Sequence, residues 1–404
     1  MIDNFYSLSN SRRRNLLILG CLILFIAGCQ NTGNQNREEG QEKPEISYED
    51  RIPHMLDYDV NEAGFPRSVE PNGSIRKVKS SDWTSGFYPG SLLYLYRLTE
   101  NEAYLEAAQK WLPFSAIEQT NDGTHDMGFK IYCSIGNANE IVPDSAWQKV
   151  IVKSAATLST RFNENTSCIK SWDFGGDRWQ FPVIIDNMMN LELLFEASKI
   201  SGNQSFHDIA VSHAVKTMEN HFREDHSSYH VLDYDPQTGE ILQRLTHQGI
   251  HAKSVWSRGQ AWGLYGFTMT YRYTEDARFL DKAIAIADFI MSLPDMPKDK
   301  VPYWDMSDPK IPNAVRDASA AAITASALLE LNSFMPGKGY GDYALSILNS
   351  LNSGAYVLPS DVEGPFILDH STGNYPAKDE LDVPINYADY YFLEALYRSK
   401  TGQF

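Results

Sequence analysis

From residue 47 onward, apolar side chains recur at intervals of three and four, the spacing of helices that bury one face. A two-part unit repeats on that period, although its copies share little sequence. An aromatic-rich or small-residue helix is followed by a turn with Thr, Ser, Gly or Asn, then by a second helix of the type Tyr-Leu-x-x-Ala. The clearest copies are Ser85–Leu98 with Glu102–Leu112, Asp186–Lys199 with Phe206–Asn220, and Arg258–Tyr273 with Ala277–Met291. His125–Ile135 with Ser145–Phe162 and Ala318–Leu331 with Tyr340–Leu351 add two more. A sixth first helix, Tyr387–Ser399, has no partner after it, and Tyr48–Asp57 can supply the outer helix that closes the ring.

Six inner and six outer helices describe an all-α fold, an (α/α)6 barrel in a single domain over residues 47–404. An open helical-repeat binding protein is the alternative, but its units would be more uniform in length. The stretches Tyr229–Leu232 and Ile241–Leu245, joined by Asp235-Pro236-Gln237-Thr238-Gly239, predict one local β-hairpin. Unequal loops between the hairpins predict a decorated binding face.

The first residues break this pattern. Arg12-Arg13-Arg14 precede an apolar run from Leu16 to Ala27, the length of a signal-peptide core. The run ends Ile26-Ala27-Gly28-Cys29, which resembles the lipobox of bacterial lipoproteins, where the Cys becomes the lipidated N-terminus. Residues 1–28 are therefore expected to be a signal peptide and 29–46 a flexible polar tether. The implied location is the periplasmic face of a membrane or the cell surface, with the bilayer as a partner through a lipid on Cys29. With Cys21 removed and Cys29 lipidated, Cys133 and Cys168 remain. There is no C-x-x-C metal pattern, and whether these two pair stays open.

The formal charge of −17, from 35 basic and 52 acidic residues, argues against nucleic acid as a partner. Eight Trp and 22 Tyr suit either a helical core or a surface that stacks on sugar rings. Oligomeric state is not legible.

If the inner helices run parallel, their starts meet at one end of the barrel, and the unusual residues collect there: Asp82-Trp83, His125-Asp126, Ile185-Asp186-Asn187, Trp256-Ser257-Arg258 and Arg316-Asp317. For Asp82 and Asp317, helix capping is sufficient. Asp126 and Asp186 are embedded in apolar runs, where a solvated cap is not expected. Two carboxylates in one dry pocket cannot both ionise easily, so one should have a raised pKa and be able to donate a proton. Trp83, Trp172, Trp179, Trp256 and Trp262 fall in or beside these segments and can be core or stacking surface. Arg258 can bind a substrate carboxylate or form a structural ion pair at the barrel mouth. His247 and His251, spaced i, i+4, lack a clear third ligand, so no metal site is assigned. His213 and His221 are expected on an outer helix, and His230, in the hairpin beside the mouth, is the histidine expected at substrate.

The motifs HDMGF (125–129), IDNMMN (185–190) and WSRGQAW (256–262), in this order and spacing, resemble those of the unsaturated glucuronyl hydrolases, glycoside hydrolase family 88. The related unsaturated rhamnogalacturonyl hydrolases usually carry Arg-Gly-Asn-Gly-Trp where this chain has Arg258-Gly259-Gln260-Ala261-Trp262. The resemblance implies that Asp186 is the general acid/base and that Asp126 assists it. It also implies that Trp83, Trp172, His230, Gln248, Trp256, Arg258 and Trp262 surround the sugar. Around Gly373–Lys378 a loop would contact the next sugar or its sulfate, with Lys378 as the residue to test. The implied substrate is a lyase-generated oligosaccharide ending in a 4,5-unsaturated uronic acid. Asp186 would protonate carbon 4 of its vinyl ether, water would add at carbon 5, and the resulting hemiketal would open and expel the aglycone, without metal or cofactor. Glycosaminoglycan, ulvan and other glucuronate polymers all remain open as the source. An unsaturated rhamnogalacturonyl hydrolase or a conventional inverting glycosidase on the same barrel, and a non-catalytic carbohydrate-binding lipoprotein, are the competing readings.

Overall fold

The computed structural model describes residues 46–60 and 64–404. Six inner helices form a closed ring: Phe87–Thr99 packs on Gly128–Gly136, then in turn come Leu191–Ser201, Ser257–Thr274, Ala318–Phe334 and Asn386–Thr401, which returns to Phe87–Thr99. Five outer helices, Glu102–Ala116, Ser145–Ser159, Gln204–Asn220, Ala277–Ser292 and Tyr340–Leu351, each lean on the inner helix before them. The predicted barrel is thus present. The signal peptide and Cys29 lie outside the described residues, as does the tether apart from Ile46.

The hairpin pattern has a local cause. Besides the last, which ends on Gly402, three inner helices end on a left-handed residue, Glu100, Gly202 or Glu275, whose N–H closes the last turn. The next residue, Asn101, Asn203 or Asp276, is extended, and its side chain accepts a backbone N–H of the outer helix. One helix is stopped and the next capped within two residues, and each such cap contributes about 1 kcal/mol.

Three elements differ from expectation. Tyr48–Asp57 forms not an α-helix but two 3-10 turns, Tyr48–Asp50 and Ile52–Leu56, because Pro53 follows immediately on Ile52. It still meets the last inner helix, with Tyr48 edge-on to Phe392 at 5.9 Å and accepting from Lys400 Nζ at 3.1 Å. The second inner helix begins at Gly128 rather than His125 and is wound as a π-helix, continued by Asn137–Ile141. The third is preceded by a 3-10 segment, Ile185–Asn190, so Asp186 lies ahead of the α-helix proper.

The hairpin predicted over 229–245 is present as Val231–Tyr234 against Ile241–Leu245, and Phe181–Ile184 adds a third, antiparallel strand. Asp235 closes its turn by accepting the N–H groups of Gln237 and Thr238. Three small sheets were not expected from the sequence: Phe65–Val69 with Ile75–Val78, Phe162–Asn163 with Cys168–Ile169, and Ser371–Asn374 with Asp379–Val383. The first and the last cover the same end of the barrel, through Arg67 paired with Asp82 and Glu380.

Candidate active site

The starts of the inner helices surround a cavity of about 290 Å³. Its wall includes Trp83, His125, Asp126, Trp172, Asp186, His230, Gln248 and Arg258. Asp126 and Asp186 are brought together by a close approach of backbones. A Cβ on Gly128 would stand 2.6 Å from Asn190 Cα, and Phe129 N–H donates to Asn190 Oδ1 at 3.1 Å. HDMGF and IDNMMN, 61 residues apart at that bond, are thereby one structural unit.

Within it the carboxyls differ in kind. Burial pushes Asp186 up to about 6; His125 and Arg258 counteract this, and the charge of Asp126 adds to it. Burial also acts on Asp126, but His125 Nε2 at 3.1 Å from Oδ1 and the Thr124 hydroxyl donating to Oδ2 at 2.6 Å hold it below its ordinary value. One carboxyl can carry a proton near neutral pH while its neighbour stays ionised, the arrangement expected for an acid and its partner.

Four polar atoms of the wall are buried without a hydrogen-bond partner in the protein: His125 Nδ1, Trp172 Nε1, Asp186 Oδ2 and His230 Nε2. Buried polar groups are ordinarily satisfied, so such a cluster marks a place made for a polar ligand. Trp83 contributes a ring tilted over Tyr387 at 5.0 Å, and Trp172 stacks on Phe174. Gln248 is held through its backbone, since its N–H and that of His247 both donate to His230 Nδ1.

Other expected site residues are placed differently. Trp262 is fully buried between Phe129 and Tyr391, in the core beneath the cavity, because its position on the Ser257–Thr274 helix faces the barrel axis. Trp256 stands behind the wall, its ring 4.5 Å from that of His230. Arg258 is on the wall, but Nη1 donates to Asp317 at 2.9 Å and to the Thr372 carbonyl, and Nη2 to the Gly373 carbonyl at 2.6 Å. The structural ion pair is therefore formed, with Asp317 also capping the Ala318–Phe334 helix as expected. Asp82 caps a turn at Thr84 rather than a helix.

Lys378 is exposed and lines a separate cavity of about 430 Å³ with Trp304 and Tyr375. His247 packs on Trp172 and Phe174 instead of pairing with His251. Among the described residues, no group of three or more His, Cys, Asp or Glu side chains could hold a metal ion. Cys133 and Cys168 are both free and buried. Trp179 packs edge-on to Trp172. His213 lies on an outer helix and His221 caps its end.

Sequence reasoning missed several wall residues, among them Thr124, His125, Phe174 and His247. Thr124 and His125 could have been found from their place beside Asp126; Phe174 carries no signal of its own, and the spacing of His247 from His251 pointed to a metal rather than to the wall.

A larger cavity, about 460 Å³, lies at the opposite ends of the inner helices. Its charges are internally matched, with Arg398 against Glu330 and Glu394 and Arg272 against Glu192. The chemistry lies with the smaller one.

A barrel of helical hairpins with an acid and an ionised partner in a sugar-sized cavity is the frame of a glycoside hydrolase. Residues 64–391 match the model for Glycosyl Hydrolase Family 88, and the chain belongs to that family. It is 50% identical to an unsaturated glucuronyl hydrolase of Formosa agariphila, over 95% of this chain and 97% of the relative. A relative of the same description from Bacillus sp. is 34% identical over 87% and 92% of the two chains. The crystal structure of an unsaturated glucuronyl hydrolase specific for heparin superposes with a TM-score of 0.84 at 45% identity, covering 87% of this chain and 95% of that one. The chain is thus a hydrolase of the unsaturated glucuronyl hydrolase type, acting on oligosaccharides that carry an unsaturated uronic acid.

Proposed function

We propose that this enzyme removes the 4,5-unsaturated uronic acid from the non-reducing end of lyase products by hydrating the vinyl ether, with Asp186 as acid and then base. The observation that carries this reading is Asp186 itself, buried, raised to about 6, and with Oδ2 unpartnered in a cavity beside an ionised Asp126. A protonated Asp186 transfers its proton to carbon 4, and positive charge develops at carbon 5 and the ring oxygen. The carboxylate left behind takes a proton from a water that adds at carbon 5. The hemiketal opens to a ketone and releases the aglycone alcohol. Asp126, held ionised, stabilises the positive charge as it develops and binds sugar hydroxyls. Working near neutral pH requires an acid with a pKa in that region, which burial supplies.

Glycosaminoglycan fragments are the preferred substrate class, supported by the relative specific for heparin; ulvan fragments are the second arm to test. The lipobox-like Ile26-Ala27-Gly28-Cys29 supports export and anchoring through Cys29, at a membrane face or the cell surface.

Turnover of an unsaturated disaccharide in heavy water tests the chemistry. Hydration places one non-exchanging deuterium at carbon 4 and leaves saturated glucuronides uncut. Deuterium-free product, or cleavage of saturated glycosides, identifies a conventional inverting enzyme instead.

A further inference from the structure

At about 290 Å³ the cavity around Asp186 is at the small end of ligand pockets, with room for one sugar ring. The second sugar of a substrate must therefore lie at the mouth, outside the wall. Of the residues that line the cavity, Gly123 and Phe174 are exposed, and only Phe174 offers a side chain. It is 55% exposed, and among the large apolar side chains that the described residues expose it is the one lining this cavity. An aromatic ring exposed at the rim of a ligand cavity offers a flat apolar surface to a bound molecule.

The ring is held in place although its loop is exposed. Phe174 stacks on Trp172 with centroids 4.9 Å apart and planes at 15°, and tilts against His247 at 5.8 Å. Trp172 is in turn edge-on to Trp179, which packs with Ile184 and Val231 and carries the Arg178 guanidinium over its ring at 4.3 Å. Gly175, at φ +66°, turns the chain directly after Phe174, and its carbonyl accepts the N–H groups of Arg178 and Trp179. One face of Phe174 is thus packed, and the tight turn presents the ring beside the mouth.

We infer that Phe174 is the platform on which the sugar following the unsaturated residue stacks, a pyranose laying its C–H face on the ring. This rests on the hydrolase reading above, because only a substrate extending out of the cavity past Asp186 brings a second ring to Phe174. Stacking of this kind is made in ground state and transition state alike, so it acts on KM rather than kcat.

The test compares two substrates, a lyase-generated unsaturated glucuronyl disaccharide and the methyl glycoside of the same unsaturated uronate, which lacks the second ring. In Phe174→Ala the ratio of kcat/KM for the disaccharide to that for the methyl glycoside falls about tenfold, carried by KM, whereas Phe174→Tyr keeps the wild-type ratio. A ratio in Phe174→Ala within about twofold of wild type overturns the proposal, as does an equal loss in Phe174→Tyr. A wild-type enzyme that turns over neither glycoside overturns the hydrolase reading instead. Calorimetric binding of the disaccharide then decides on Phe174: affinity weakened about tenfold by Phe174→Ala supports the platform, and unchanged or absent binding overturns it.

Discussion

His230 Nε2 faces Asp186 Oδ2 at 3.7 Å, and neither atom has a hydrogen-bond partner in the protein. The other ring nitrogen, Nδ1, accepts the backbone N–H groups of His247 and Gln248 at 3.0 and 3.1 Å, so it carries no proton. Burial, reinforced by His247 and Arg258, holds the imidazole well below its ordinary pKa. His230 is therefore neutral with its proton on Nε2, a donor aimed at the space where the acid meets its substrate. Nitrogen resonances of the ring should show this one tautomer from pH 5 to 8. An imidazolium at pH 6, or a proton on Nδ1, contradicts the assignment.

Asp186→Asn should lower turnover by about 10²–10⁴-fold with the helical signal intact, since the amide has the same shape but no transferable acid proton. It should also make the protein more stable at neutral pH. The folded state holds the carboxyl near 6 against about 3.8 unfolded, so folding binds a proton between those values and stability declines as pH rises through them. Removing the group removes a cost of up to about 3 kcal/mol at pH 7. Thermal unfolding at pH 4 and pH 7 checks this; a variant less stable than wild type at pH 7 counts against a buried, raised Asp186.

Asp126→Asn should shift the pH profile of kcat/KM toward acid, because the charge of Asp126 contributes to the rise of Asp186. The shift should be a fraction of a pH unit, since burial, which the substitution leaves in place, is the main cause. A profile that does not move would separate the two carboxyls electrostatically.

Gly128→Ala should cost about 10²-fold in activity without touching a reacting group. Its methyl meets the backbone of Asn190, so HDMGF must move off IDNMMN, and a displacement of about 1 Å is enough for that loss. Circular dichroism with steady-state kinetics distinguishes this from unfolding.

Arg258→Ala should destabilise the protein by about 3–5 kcal/mol, because Asp317 would keep a buried charge without its partner. It also unfastens the Thr372 and Gly373 carbonyls. Activity on the uronate and on its methyl ester should fall together; a selective loss on the acid would show that Arg258 reads the substrate carboxylate as well.

Much of this protein was determined locally. The helical period, the Asn and Asp caps such as Asn203 and Asp276, and the turn at Asp235 depend on residues within a few positions of one another, so the barrel and its small hairpin were legible. Asp126 and Asp186 stood out because a carboxylate in an apolar run has no solvent to face. Tertiary structure decided the rest, because the side a helix turns to the barrel axis, and what waits there, depends on elements far away in the chain. Trp262 became core and Trp172 became wall although both are tryptophans beside a motif. Arg258 meets Asp317 and the carbonyls of a hairpin more than a hundred residues on. The unequal pKa values of the two carboxyls arise from His125, Arg258 and the depth of burial, which exist only once Gly128 has let two distant segments touch.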